Sequence, residues 1–205
     1  DALAVVVSKE NTFATDVTSE ELAMIFSSAT KWSDVRTDWP AEEIQRFIPG
    51  TDSGTFDYFV EAIMAPAYPG EDGKASVEKG EAAILAAKNL QMSEDDNVLV
   101  QGVESSPYAI GFFGYAYFKE NADLLNVLSV NGIAPTEETA ENNTYPISRP
   151  LFIYTTAEIM QDKPQVAAFI YFYLTNVNNE ILDVGYFPAA HAVLQAGLAS
   201  WTEAV

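Results

Sequence analysis

Residues 49–55 hold the densest group of side chains suited to ligand binding, with three hydroxyls, two glycines and one carboxylate in seven positions. The hydroxyl groups belong to Thr51, Ser53 and Thr55, and each can donate a hydrogen bond to an oxyanion. Gly54 lies between two of them and lets a ligand approach the backbone closely. This combination favours the capture of an anion.

The elements that flank this loop place it at the start of a helix. Residues 44–48 have the character of a short strand, and residues 56–64 repeat apolar side chains at the spacing of one helix face. Pro66 is expected to stop this helix. Because the first N–H groups of a helix lack intrahelical acceptors and lie at the positive end of its dipole, the loop would form an anion cradle.

A simpler interpretation of the same residues stays open. Ser53 or Thr55 could act only as the cap of the helix, because capping residues of this kind precede most helices. A cap requires one such residue, whereas this loop holds three. The density of polar groups therefore favours anion binding but does not exclude a role in helix capping alone.

The composition excludes several classes of function. Thirty acidic residues against ten basic ones give a formal net charge of -20, which argues against nucleic-acid binding and against docking on an anionic membrane. The same charge favours a monomer through self-repulsion. The chain has no cysteine and a single histidine, His191, so neither thiolate nor multi-histidine metal sites can form. We expect no cofactor and no metal.

Strand-length apolar stretches alternate with helical patterns along the chain, which predicts an α/β fold. Residues 2–7 form a continuous apolar run, typical of a strand that is covered on both faces. We also predict strands at residues 98–100 and 151–154, and an exposed acidic loop at residues 136–143. The apolar residues 166–174 predict a buried helix.

Five segments carry a likeness to a known family. They are the strand and asparagine of residues 1–11, the helix and Trp-Ser-Asp-Val turn of residues 22–35, Ser-Gly-Thr at residues 53–55, the Ala-Ile-Gly-Phe region of residues 109–116, and Tyr-Pro-Ile-Ser-Arg-Pro-Leu at residues 145–151. In this order they resemble the PstS-like periplasmic phosphate-binding proteins of ABC transporters. The resemblance covers nearly the whole chain.

The resemblance implies a two-lobe, type II periplasmic-binding-protein-like fold with phosphate in the cleft between the lobes. Residues 11–145 would form a complete second lobe that carries the anion loop, and residues 1–10 and 146–205 a partial first lobe with the C-terminal helices. The ligand residues carried over from the family are Thr51, Asp52, Ser53, Gly54 and Thr55. The implied function is not enzymatic: the protein would capture inorganic phosphate outside the cytoplasm and deliver it to the permease of an ABC importer.

Two departures from the family pattern affect this expectation. The family's opening segment is not matched before Asp1, so we expect the first lobe and its ligands to be incomplete, and a periplasmic or extracellular protein anchored to the membrane through that segment. Many relatives place an arginine where this chain has Pro49. Arg46 is the nearest arginine in sequence, whereas Arg149 is expected to be structural and to pair with a carboxylate.

Several alternatives remain at this point. Asp52 could accept the proton of HPO4(2-) or H2PO4(-) and so reject sulfate, or it could only bond its own turn backbone. The chain could bind another oxyanion or an organophosphate, or act as a structural or sensory domain. A hydrolase with Ser53 as nucleophile would need His191 or a carboxylate as its base. Residues 94–96 are more simply a solvated loop than a calcium site.

Overall fold

The strands of the protein form one large sheet and one small sheet, and the computed structural model describes all 205 residues. The strands are β1 (Leu3–Ser8), β2 (Asp16–Val17), β3 (Gln45–Pro49), β4 (Leu90–Ser93), β5 (Ala109–Gly114), β6 (Leu125–Val127) and β7 (Ser129–Val130). The large sheet has the order β4-β3-β5-β1-β6, and β2 pairs with β7. Strands β3, β4 and β5 are parallel, whereas β1 runs antiparallel to both of its neighbours.

Helices cover the large sheet and form the C-terminal part of the chain. They are α1 (Ser19–Ile25), α2 (Gly54–Phe59), α3 (Ala65–Ala67), α4 (Val77–Leu85), α5 (Asp96–Glu104), α6 (Tyr115–Glu120), α7 (Glu137–Glu141), α8 (Ala157–Asp162), α9 (Pro164–Glu180) and α10 (His191–Ala204). A 3-10 turn spans Trp32–Asp34. The architecture is α/β, which confirms the predicted class. No helix has both the length and the apolar character needed to cross a bilayer.

The helix that follows the anion loop does not stop at Pro66. A π-helical segment, Val60–Met64, joins α2 to α3, and Pro66 lies in the first turn of α3. The helical path therefore runs without a break from Gly54 to Ala67 and ends one residue after Pro66.

Strand β1 lies inside the large sheet with both of its faces covered. Its alternate side chains enter two hydrophobic clusters, one of 27 and one of 9 buried residues. All six residues of β1 are buried, as the continuous apolar run predicted. β1 is hydrogen bonded to β5 on one side and to β6 on the other, which places it inside the sheet.

Two segments are helical where the sequence indicated other structure. Residues 98–100 lie in α5, because the Asp95 carboxylate caps that helix by accepting from the N–H of Asn97. Residues 137–141 form α7 rather than a loop, because the Thr136 hydroxyl accepts from the N–H of Thr139. In both cases a polar cap outweighs the β-branched or acidic character of the residues that follow.

The C-terminal part exposes apolar side chains. Residues 151–154 form no strand, since no other strand lies beside them to complete a ladder, and Phe152 and Tyr154 are 67% and 86% exposed. Helix α9 is present as predicted but is not buried, because Ala167 is its one buried residue. Helices α8, α9 and α10 line an apolar cavity of about 620 Å³ together with residues 149–155.

Candidate functional site

The predicted anion loop lies at the carboxyl edge of the parallel strands. β3 ends at Pro49, whose register partner is Ser93 at the end of β4. Residues 50–53 then turn the chain into α2, and the N–H of Ser53 donates to the carbonyl of Gly50 at 3.1 Å. Ligands of open α/β sheets bind at this edge, where the loops after parallel strands meet.

Ser53 is the cap of α2. Its Oγ accepts a hydrogen bond from the N–H of Thr55 at 3.2 Å, and its carbonyl accepts from the N–H of Asp57 at 3.1 Å. The interpretation of Ser53 as a cap is therefore confirmed. It does not exclude anion binding, because a hydroxyl that accepts one hydrogen bond still has its own O–H to donate.

Two further backbone donors of the same turn are unused. The N–H groups of Gly54 and Phe56 have no intramolecular acceptor. Thr51, Asp52 and Gly54 are exposed, whereas Ser53 and Thr55 are half-buried. The structure thus brings all five predicted site residues together on one accessible turn that offers hydroxyl and N–H donors.

Asp52 adds a carboxylate to this donor set. Its side chain is exposed and accepts no hydrogen bond from its own backbone or from any other residue. The alternative in which Asp52 serves only to bond its own turn is therefore not what the structure shows. Its oxygens are available to a ligand that carries a proton.

Other acidic side chains crowd one side of the loop. The carboxylate of Glu94 lies over Gly50, where a Cβ would overlap it. Burial, together with the charges of Asp95 and Glu94, raises the pKa of Asp96. A side chain at position 50 would displace the flexible end of the exposed Glu94 side chain.

Arg46 does not contribute to the loop. Its side chain is fully buried and donates to four carbonyl oxygens, those of Ile25, Ala29, Ile44 and Lys88. Burial lowers the pKa of this guanidinium to about 10, so it remains charged at neutral pH. Arg46 therefore fastens β3, which carries the loop, to the end of α1.

Arg149 is the basic residue that hydrogen bonds to the loop. Its Nη2 donates to the carbonyl of Gly54 at 3.2 Å, and its Cζ lies 4.7 Å from the centroid of the Tyr58 ring. Its Nε is 3.9 Å from the Asp1 carboxylate, which confirms the predicted pairing with a carboxylate. The sequence did not predict the contact between Arg149 and Gly54. The one signal for it was that the loop has Pro49, and no arginine, at the position that the family pattern gives to arginine.

The match to a sequence family covers most of the chain, because residues 1–177 fit the family model of a PBP superfamily domain. The chain belongs to the PBP superfamily. Among its relatives it is similar to the PstS-like phosphate-binding proteins, as the sequence motifs indicated.

Three relatives illustrate this similarity. This PBP-superfamily chain is 38% identical to Protein SphX of Synechocystis, over 99% of its own length and 59% of the relative. It is 33% identical to the phosphate-binding protein PstS of Staphylococcus saprophyticus, over 91% of its length and 54% of the relative. The solved structure of a possible phosphate binding protein from Planctomyces limnophilus is 38% identical with a TM-score of 0.78, over all of this chain and 70% of that one.

These comparisons also define how much of a relative the chain represents. It spans little more than half the length of the curated relatives it matches, 59% of SphX and 54% of PstS. Their names describe proteins longer than this chain. The ligands of those longer proteins are therefore proposed for this chain and not assigned to it.

No catalytic group assembles around Ser53 in this PBP-superfamily chain. Neither His191 nor any carboxylate hydrogen bonds to its Oγ, and His191 is an exposed residue at the start of α10. No cluster of three or more acidic or histidine side chains is placed to hold a metal ion. The geometry offers hydrogen-bond donors for an anion rather than a nucleophile and its base.

Proposed function

We propose that the chain is part of an extracytoplasmic solute-binding protein that captures inorganic phosphate for the permease of an ABC importer. The observation that carries this proposal is the set of donors at Ser53, Gly54 and Thr55, on the carboxyl edge of a parallel sheet in a member of the PBP superfamily. The names of the relatives, which include phosphate-binding proteins, support it. The protein would work in the periplasm or outside the cell, as a monomer.

Binding would rest on hydrogen bonds at the start of α2. The N–H of Gly54 and the hydroxyls of Thr51, Ser53 and Thr55 would donate to the phosphate oxygens, assisted by the helix dipole. Asp52 would accept the remaining proton of HPO4(2-) or H2PO4(-). Fully ionised sulfate would meet this carboxylate without a proton between them, so it would be rejected.

The overall negative charge of the chain does not forbid this ligand. Charges beyond the screening length, about 8 Å at physiological ionic strength, contribute little. Each hydrogen bond to a charged group contributes about 1.5–3 kcal/mol net. A few such bonds within the loop outweigh the screened field of the distant surface.

The lobes would divide the chain near residue 145. Residues 11–145, joined by β1, contain both sheets and the anion loop, and would form the second lobe. Residues 146–205, with Asp1 paired to Arg149, would form part of the first lobe. The exposed apolar side chains of residues 151–154 support this division, because they are the kind of surface that the interior of a lobe covers.

Titration calorimetry with phosphate, and with sulfate at equal ionic strength, tests the proposal. We expect the chain to bind phosphate and to bind sulfate more weakly. The variant Ser53→Asp keeps a good helix cap but places a negative charge in the loop, so we expect it to weaken phosphate binding by at least about a hundredfold with little loss of stability.

The matched control is Ser76→Asp, the same change at the cap of α4. Ser76 lies beside Ala65, which is eleven residues from Gly54, or about 16 Å at 1.5 Å per residue. This control should bind phosphate as the unmodified chain does. A chain that ignores phosphate, or Ser53→Asp with undiminished affinity, would contradict the proposal, and preference for sulfate would establish another oxyanion as the ligand.

A further inference from the structure

The guanidinium of Arg149 is held against the anion loop by its surroundings. The backbone of Arg149 exchanges two hydrogen bonds with that of Asp1, at 2.9 and 3.0 Å. Its side chain lies between the Gly54 carbonyl and the face of the Tyr58 ring. The Tyr58 hydroxyl in turn donates to the carbonyl of Ser148 at 2.7 Å, so both ends of this arrangement are fixed.

Most of the hydrogen-bonding capacity of Arg149 is unused. A guanidinium has five N–H donors, and the side chain of Arg149 makes one hydrogen bond, to the Gly54 carbonyl. Its Nε is buried without an acceptor, because the 3.9 Å that separate it from the Asp1 carboxylate are too long for a hydrogen bond. The Nη groups belong to a side chain that is 32% exposed and make one hydrogen bond among them, so their remaining N–H groups are free to bind an acceptor from outside the chain.

The other two arginines are committed elsewhere. Arg36 makes two hydrogen bonds to the Glu21 carboxylate, at 2.6 and 2.7 Å. Arg46 is fully buried among backbone carbonyls. Residues 49–55 include no basic residue, so a cation for the site must come from outside the loop.

We propose that Arg149 is the cationic ligand of the anion bound by residues 51–55, a role that rests on the proposed phosphate function. Its Nη2 stands 3.5 Å from the position that a Cβ on Gly54 would occupy, so the donors of the guanidinium and of the helix start converge around this one glycine. A planar guanidinium can hold two oxygens of a tetrahedral anion at once, which a lysine cannot do. Arg149 also lies in the proposed first lobe and Gly54 in the second, so the anion would be bound by both.

The test uses the ¹⁵N-labelled chain and inorganic phosphate, with sulfate and chloride at matched ionic strength. The chain has three arginines and therefore three Nε–H signals, which Arg36→Met and Arg149→Met assign by deletion. We expect the Nε–H of Arg149 and the amides of Gly54 and Thr55 to shift along one saturation curve, while the other two arginine signals stay fixed.

Variant affinities give a second measurement. Arg149→Met keeps the aliphatic stem and should weaken phosphate binding by about tenfold or more, Arg149→Lys should lie between, and Arg36→Met should bind as the unmodified chain does. Urea unfolding of each variant shows whether a loss of affinity reflects a loss of fold.

Each outcome separates this inference from the proposed function. If phosphate shifts the loop amides but not the Arg149 signal, or if Arg149→Met binds with full affinity, Arg149 is only structural and the phosphate function stands. If the loop amides of the unmodified chain do not respond at about 10 mM phosphate, ten times a millimolar Kd, the proposed function fails and this inference fails with it.

Discussion

Replacing Arg46 by methionine should destabilise the protein while leaving the anion loop chemically unchanged. The guanidinium of Arg46 is fully buried and forms no ion pair. It instead donates to four backbone carbonyls, which join β3 to the end of α1 and to residue 88. Methionine would fill a similar space with an unbranched apolar chain but would donate nothing.

The size of the effect follows from these contacts. Two of the four carbonyls, those of Ile25 and Ala29, accept buried hydrogen bonds from Arg46 alone, whereas that of Ile44 also accepts from Nδ2 of Asn89 at 3.4 Å. A buried acceptor left unsatisfied costs about 1–3 kcal/mol, or about 2–6 kcal/mol for two. The variant no longer desolvates a guanidinium, which returns part of this cost. We therefore expect a net loss of about 1–3 kcal/mol, against a total stability of about 5–15 kcal/mol for a protein of ordinary stability.

Urea unfolding followed by tryptophan fluorescence measures this loss. With a slope near 2 kcal/mol/M, the midpoint should fall by about 0.5–1.5 M. Arg36→Met is the control, since Arg36 forms a partly exposed ion pair with Glu21 and should lose only about 0–1 kcal/mol. A midpoint for Arg46→Met equal to that of the control would refute the reasoning, as would a loss of phosphate affinity in the folded variant.

The remaining predictions concern packing, acid stability and ligand choice. Gly102→Ala places a methyl group into the Phe47 ring and should cost about 1–3 kcal/mol in urea unfolding, and an unchanged midpoint would show that the ring can move aside. The hydrogen bond from Arg36 lowers the pKa of Glu21 below its usual 4.5, so this carboxylate stabilises the fold above that pH and the stabilisation is lost as the pH falls through the lowered value. Glu21→Gln should accordingly show a shallower acid limb in stability measured against pH, and identical limbs would assign no role to this pair. Asp52→Asn should reduce the preference for phosphate over sulfate in competition titrations, whereas an unchanged ratio would leave Asp52 without a part in selection.

Local patterns predicted much of the loop and its surroundings. Ser53 caps the helix after β3, and the apolar run of residues 2–7 becomes a strand covered on both faces. These features depend on residues within a few positions of one another, so a sequence pattern contains what is needed to predict them.

The sequence-based predictions of secondary structure and burial were wrong where local preferences compete with capping and tertiary packing. Residues 98–100, with β-branched Val98 and Val100, favour a strand in isolation, but the Asp95 cap and the packing of α5 on the sheet make them helical. Residues 151–154 have the composition of a strand, yet a strand exists only through its ladder to another strand. The apolar face of α9 predicted burial, and the packing of the described chain leaves most of that face exposed.

The sequence by itself determined the α/β class, the anion loop of residues 49–55 and the family resemblance, because each is written in neighbouring residues or in the order of short motifs. Tertiary structure alone decided the roles of the arginines. Arg46, close to the loop in sequence, turns into the interior, whereas Arg149, 95 residues beyond Gly54, donates a hydrogen bond to it. A contact between residues so distant in sequence depends on the fold of the whole chain, and no short sequence motif predicts it.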